Sequence, residues 1–199
     1  MEDKKTEFSS NSLAYEEALP LDWHILDEAL TEEALARINV ANTEVLDKIT
    51  ALESIFTEPG ELPTSLEQHQ DLARIELKLD IVMDMVSQLF HQSLQLPESV
   101  PVRLDTESIE WTGTGSGLAE NKDIIISLYL KRNYPIPLQL PATVMAIQAY
   151  ESGVRVSASL QGVSEVVQDQ LVKLIFRHHR RSIAHHRKDH VKNNNEDSN

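Results

Sequence analysis

Apolar residues recur along the chain with two different periods, and the change of period divides it. From Asp27 to Phe56, the residues Leu35, Ile38, Val45, Ile49, Leu52 and Phe56 share one stripe at spacings of three, four and seven. That is the mark of a helix with one apolar face. Thr31 followed by Glu32 and Glu33 suits the start of that helix, because carboxylates favour the amide-rich first turn. Asn39 and Asn42 are weak helix formers and admit a break near residue 40. The segment TEPGELPTS then ends the block with two prolines and a glycine.

A second block runs from about Leu66 to Leu96. It places Leu72, Ile75, Leu79, Val82, Val86, Leu89, Ser93 and Leu96 at alternating a and d positions of a heptad. As a helix it would span about 46 Å at 1.5 Å per residue. Leu77, Ile81, Met83, Met85, Phe90 and Leu94 lie off that seam. A helix apolar on most sides must be covered on most sides. The first helix is expected to fold back as a hairpin and cover one of them. Leu72/Ile75 and Leu79/Val82 put Leu at a and a β-branched residue at d, which favours trimers or tetramers, whereas Val86/Leu89 has the order of a dimer. Leu72, Ile75, Leu79, Val82, Val86 and Leu89 are therefore the expected interface of a homo-oligomer, with a tetramer preferred. An antiparallel hairpin inside a monomer is the alternative.

After Leu96 the period falls to two. Pro97 and Pro101 close the helical part, and short apolar runs follow at Val100–Leu104, Ser108–Trp111, Ile124–Leu130, Leu138–Ile147 and Val154–Leu160. Val154, Val156, Ala158 and Leu160 alternate with polar residues, as in a half-buried strand. WTGTGSG reads as a long hairpin tip, and Pro135, Pro137 and Pro141 should confine their segment to edges or bulges. Five short strands in so short a stretch suggest a small barrel. A last helix begins near Ser164, with Val167, Leu171, Leu174 and Ile175 on its apolar face. The expected organisation is a flexible N-terminus at 1–18 and a helical region at 19–96, with the heptad helix at about 66–96. A barrel at 97–162, a C-terminal helix at 163–190 and a disordered tail at 191–199 complete it. The fold class is α+β, a small antiparallel β-barrel with flanking helices and a long heptad helix.

Composition narrows the function. With 199 residues, 41% hydrophobic and 25% charged, the chain has the make-up of a globular protein. It has no cysteine, which excludes disulfides, thiolate catalysis and Cys-ligated zinc. Its net charge of −14 argues against general nucleic-acid binding, so no DNA partner is expected. No apolar run reaches the roughly 18–20 residues that span a bilayer, and the opening MEDKKTEFSSNS lacks the apolar core of a signal peptide. A cytoplasmic location without membrane insertion is expected. Charge is unevenly spread: residues 1–100 carry 21 acidic and 6 basic residues, whereas 173–192 carry seven basic residues against Asp189 alone. The two regions either meet or form separate solvated faces.

No Ser-His-Asp order, HExxH or Walker motif is present, and WTGTGSG lacks the spacing of a dinucleotide loop. Adjacent carboxylates such as Glu16/Glu17 and Glu32/Glu33 do not face each other on a helix. No catalytic residue, cofactor or metal site is assigned. His186 and His190 have a chelating spacing, but a solvated histidine-rich end is the plainer reading.

Four segments in this order resemble the atypical, tetrameric PilZ family of bacteria. They are LPLDW at Leu19–Trp23, LARIELKLDIVMDMVSQLF at Leu72–Phe90, LPESVPVRLDTESIEW at Leu96–Trp111 and LIFRHHRRSIA at Leu174–Ala184. The resemblance implies a PilZ-like barrel flanked by helices, four subunits joined by the long helix, and a receptor or adaptor role in cyclic di-GMP signalling. Ligand-binding PilZ domains carry RxxxR before the first strand and [D/N]xSxxG on the next ones. Here no arginine lies between Arg74 and Val100, and Ser108 follows Asp105 by three residues. Cyclic di-GMP is thus a weak or absent ligand. An RxxxR does occur at Arg177 and Arg181, late in the C-terminal helix. Arg177, Arg180 and Arg181 are the candidate phosphate contacts, since guanidinium forks match phosphate geometry; a solvated basic helix end is the alternative. The expected function is a signalling adaptor or receptor with an unknown signalling protein as partner. The alternative is a scaffolding module without a nucleotide ligand.

Overall fold

The computed structural model describes residues 13–55, 96–113, 117–131, 134–150 and 153–196, together with the helical positions Ile75, Leu79, Val82 and Val86. Side chains of Ser54, Ile55 and residues 184–196 lie outside this description, as do Leu72, Leu89 and the tip at 114–116.

Six strands close an antiparallel barrel: β1 (Tyr15–Ile25), β2 (Ser99–Leu104), β3 (Ser108–Gly113), β4 (Asp123–Leu128), β5 (Leu138–Tyr150) and β6 (Gly153–Leu160), in the order β1-β2-β3-β6-β5-β4. Helix α1 (Glu32–Ile55) follows β1, and helix α2 (Glu165–Glu196) follows β6. No helix among the described residues is long and apolar enough to cross a membrane.

The closing strand is the main departure from expectation. The sequence pattern predicts a flexible segment at 1–18 and a helical region at 19–96, yet Tyr15–Ile25 is a strand. Tyr15–Pro20 pairs with β2, and Leu21–Ile25 pairs with β4. The strand changes partner at Pro20–Leu21, and the Pro20 carbonyl accepts from Tyr129 N–H at 3.0 Å. Its buried residues are Tyr15 and the consecutive Leu19–Leu21, which do not alternate and so give no strand signal.

The other strands put their apolar residues inward, although β2 and β4 each bury three residues in a row. Ile109 and Trp111, Ile124, Ile126 and Leu128, Leu138 and Leu140, and Val156 and Ala158 all point inward and are buried. β5 carries a register shift between Val144 and Ala146, after which Ile147 rather than an even-numbered residue pairs with inward Val156, as a bulge at a barrel corner does. Pro141 sits inside β5, where a proline was expected only at an edge or bulge. Its carbonyl accepts from Gln161 N–H, just past the end of β6. On an antiparallel strand a residue's N and C=O point the same way, so its missing N–H faces no strand.

α1 begins where Thr31 predicts: Thr31 Oγ1 accepts from Ala34 N–H at 3.2 Å, which caps the helix. There is no break at residue 40. Asn39 and Asn42 instead tie α1 to the barrel. Asn42 donates to the Gln139 carbonyl at 2.7 Å and accepts from Gln139 N–H at 2.9 Å. It satisfies the part of β5 that extends beyond its pairing with β6. Asn39 donates to the Gly162 carbonyl at 2.8 Å and accepts from Ser164 N–H at 2.9 Å.

Val45, Leu46 and Ile49 of α1, Val167, Leu171, Leu174 and Ile175 of α2, and the inward barrel residues form one core. α1 was expected to cover the heptad helix. Its buried face is given to the barrel and α2 instead.

Candidate functional site

Two features stand out from this frame: a polar cluster under α2, and an uncovered apolar line on the heptad segment.

The cluster is built around Glu53, one residue past Leu52 on the inner side of α1 and 8% exposed. Its carboxylate meets Lys131 Nζ at 3.1 Å, Arg181 Nη1 at 2.9 Å and Arg177 Nε at 3.5 Å. Arg177 and Arg181 are one turn apart on α2, so both reach the same carboxylate. Lys131 comes from the chain just after β4. Arg177 also donates to Thr50 Oγ1 at 2.9 Å. Burial by itself would raise the Glu53 pKa; hydrogen bonds from Lys131 and Arg181 outweigh it and hold the carboxyl below its ordinary value. Three cations around one carboxylate leave the cluster with net positive charge.

Beside it, the Tyr15 ring lies against the His178 ring with centroids 4.0 Å apart. His178 Nε2 is 3.2 Å from the Glu16 carbonyl, and Tyr15 O–H donates to Glu17. Burial, reinforced by Glu17, pushes the Tyr15 phenol far above its ordinary range. Arg103, buried in β2, pairs with Glu16. The start of β1 is thus pinned between α2 and β2.

The three arginines singled out from the sequence therefore divide. Arg177 and Arg181 converge on Glu53 with their forks half-buried, whereas Arg180 is exposed. Acidic α1 and basic α2 meet within one chain, here and at Gln170 Nε2, which donates to Asp47 at 2.7 Å. Sequence reasoning missed Glu53, Lys131 and Tyr15. The signal for Glu53 was a carboxylate four residues after Ile49 on an apolar face, opposite an RxxxR.

The phosphate-motif positions can also be placed. Asp105 Oδ1 accepts from the N–H groups of Glu107 and Ser108, and Oδ2 accepts from Ser108 Oγ at 2.8 Å. Asp105 and Ser108 thus shape the turn between β2 and β3. With β1 starting at Tyr15, the chain before the first strand holds only Lys4 and Lys5 as basic residues. The RxxxR of ligand-binding PilZ domains is absent there too.

On the heptad segment, the described positions Ile75, Leu79, Val82 and Val86 are helical and 54%, 57%, 55% and 40% exposed. They follow one another at four, three and four residues, so they form one continuous apolar line. Among the described residues, no group of three or more His, Asp or Glu side chains could hold a metal ion.

Comparison with known proteins agrees with this geometry. A structure of a pathogenic protein from Xanthomonas campestris, described as a new tetrameric PilZ domain self-assembled via an unusual helical bundle, superposes with a TM-score of 0.67. The match is 23% identical and covers 88% of this chain and 93% of that one. No curated protein sequence matches the chain. The family described as atypical PilZ domain, cyclic di-GMP receptor, matches residues 48–188. The closed barrel, the exposed heptad line and this match together place the chain in the atypical PilZ domain family.

Proposed function

We propose that the protein is a cytoplasmic, non-enzymatic adaptor of cyclic di-GMP signalling that assembles through its heptad seam, with four copies preferred. The observation that carries this reading is the line Ile75–Leu79–Val82–Val86. Four large apolar side chains exposed in a row on one helix are what an interface between copies covers. Burying each contributes about 1.5–3 kcal/mol, before association entropy is subtracted. Leu72 and Leu89 extend the same line in the sequence. The Xanthomonas protein, which assembles by a helical bundle, supports the reading.

Light scattering tests it. The wild-type mass should be a multiple of 22.5 kDa. Leu79→Glu/Val86→Glu should give a single chain with the Trp111 emission of a folded barrel. A wild-type mass of one chain at tens of micromolar defeats the proposal.

Arg177, Arg180 and Arg181 remain the proposed phosphate contacts if cyclic di-GMP binds directly. One observation favours the scaffolding alternative: Glu53 already occupies the Arg177 and Arg181 forks. Wild-type protein should therefore give little heat on titration with cyclic di-GMP. Saturable wild-type binding, lost in Arg177→Ala/Arg181→Ala, would favour the direct receptor.

A further inference from the structure

The barrel closes, but β5 outruns one of its two neighbours. β4 pairs with β5 only as far as Asp123 opposite Thr143. One residue further, Val144 N–H donates to the Lys122 carbonyl at 2.9 Å, and the Val144 carbonyl accepts from Asn121 N–H at 2.8 Å. The neighbouring chain then turns away, since Asn121 has φ of 62°. β5 continues to Tyr150, paired with β6 on its other side. Beyond Val144 its open side has no paired backbone group among the described residues.

The register fixes which groups point there. Gln161 N–H donates to the Pro141 carbonyl, so the odd-numbered residues of β6 turn their backbone groups toward β5. After the bulge, Ser157 and Arg155 stand opposite Ala146 and Gln148. Ala146 and Gln148 therefore bond to β6, and Ile147 and Ala149 direct their N–H and C=O groups to the open side. Natural edges are kept apart by charged side chains and prolines. The run Met145–Tyr150, MAIQAY, has neither, and Gln148, Ala149 and Tyr150 are exposed. The guanidinium of Arg155 lies over the Tyr150 ring, 4.9 Å from its centroid, so that charge sits on the face of the hairpin and not along its edge.

An identical edge is the complement of this one. Set antiparallel about a two-fold axis at Gln148, Ile147 of each copy falls opposite Ala149 of the other. Both pairs then exchange N–H and C=O bonds in each direction. Gln148 falls opposite itself, and a carboxamide is donor and acceptor at once, so the two satisfy each other. No like charges meet. We propose that β5 joins the barrels of two copies edge to edge, antiparallel about Gln148, so that one sheet runs through both. A strand pair this short is smaller than the roughly 1,200 Å² of a stable interface. It therefore rests on the assembly proposed above, in which the heptad seam holds copies at high local concentration.

The chain has no native cysteine, so a single one reports the contact. Q148C sets two sulfurs opposite each other with Cα atoms about 4.5 Å apart, within disulfide reach. On mild oxidation of the full-length protein, a species of two chains, twice 22.5 kDa, should form about tenfold faster than with V40C. Val40, on α1 and 62% exposed, measures random collision. A149P removes an N–H that points away from β6, as edge prolines do. The Q148C/A149P variant should oxidise at the V40C rate while keeping the Trp111 emission of a folded barrel. Equal rates for Q148C and V40C overturn the pairing and leave the edge to a strand of another protein. A fast Q148C rate that A149P does not lower overturns it as well. Wild-type mass separates the two proposals: an oligomer with equal rates defeats only this one, whereas a single-chain mass defeats the seam and this pairing with it.

Discussion

Replacing Glu53 with Gln keeps the shape of the side chain and removes the charge on which Lys131, Arg177 and Arg181 converge. Exposed ion pairs contribute about 0–1 kcal/mol, while removing one member of a fully buried pair costs about 3–5 kcal/mol. Glu53 is 8% exposed, but the three cations are 31–40% exposed and can turn toward water. The cost should therefore fall between those limits, at about 2–3 kcal/mol, and Tm should drop by about 4–12 °C for a domain of this size. The sign of the pH dependence follows from the carboxyl's lowered pKa. The unfolded chain takes up the Glu53 proton at a higher pH than the folded one does. The stabilisation is therefore complete above the unfolded value, near 4.5, and is lost as pH falls through the folded value. Urea titrations of wild type and Glu53→Gln at a fixed protomer concentration, stepped from neutral to acid pH, measure the gap. It should be flat near neutrality and shrink below the ordinary carboxylate range. No gap at neutral pH, or a gap that widens toward acid, would refute the argument.

Three further outcomes are expected. Asn42→Ala leaves a donor and an acceptor of Gln139 unpaired in the interior and should cost about 1–3 kcal/mol in urea unfolding, after the small gain in helix propensity. Gly153 has φ of 146°, and an added Cβ would lie 2.5 Å from the Gly113 carbonyl oxygen; Gly153→Ala should lower stability by about 1–3 kcal/mol, read as a lower melting temperature. Glu53→Gln also frees the Arg177 and Arg181 forks, so calorimetry should show tighter binding of phosphate-bearing ligands than in wild type; equal affinity would mean that Glu53 does not compete for them.

The parts of this molecule legible in the sequence are those where one physical pattern repeats. β2 to β6 coincide within a few residues with the runs of valine, isoleucine and leucine, whether those runs alternate, as in β6, or are buried continuously, as in β4. α1 and α2 start at their capping hydroxyls, Thr31 and Ser164. What stayed hidden depends on distant partners. β1 makes sense only beside β2 and β4, since a strand shared between two neighbours need not alternate along its length. Asn39 and Asn42 look like helix breakers until the backbone groups of Gly162, Ser164 and Gln139 are placed opposite them. The RxxxR at Arg177 and Arg181 was visible as a charged fork, but its occupant comes from a helix more than a hundred residues earlier.

The position of β1 also bears on the order of folding. It pairs with β2, yet about 73 residues, holding α1 and the heptad segment, separate the two. The length-dependent entropy of closing such a loop is about 4 kcal/mol, against about 1 kcal/mol for a four-residue hairpin. β2, β3, β5 and β6 need no such long-range closure within their local hairpins, so they can pair early. Formation of α1 shortens that path, so β1 is expected to join the barrel after the local hairpins. The strand made first on the chain is then expected to enter the barrel last, and until it does, the edges of β2 and β4 remain open to other chains.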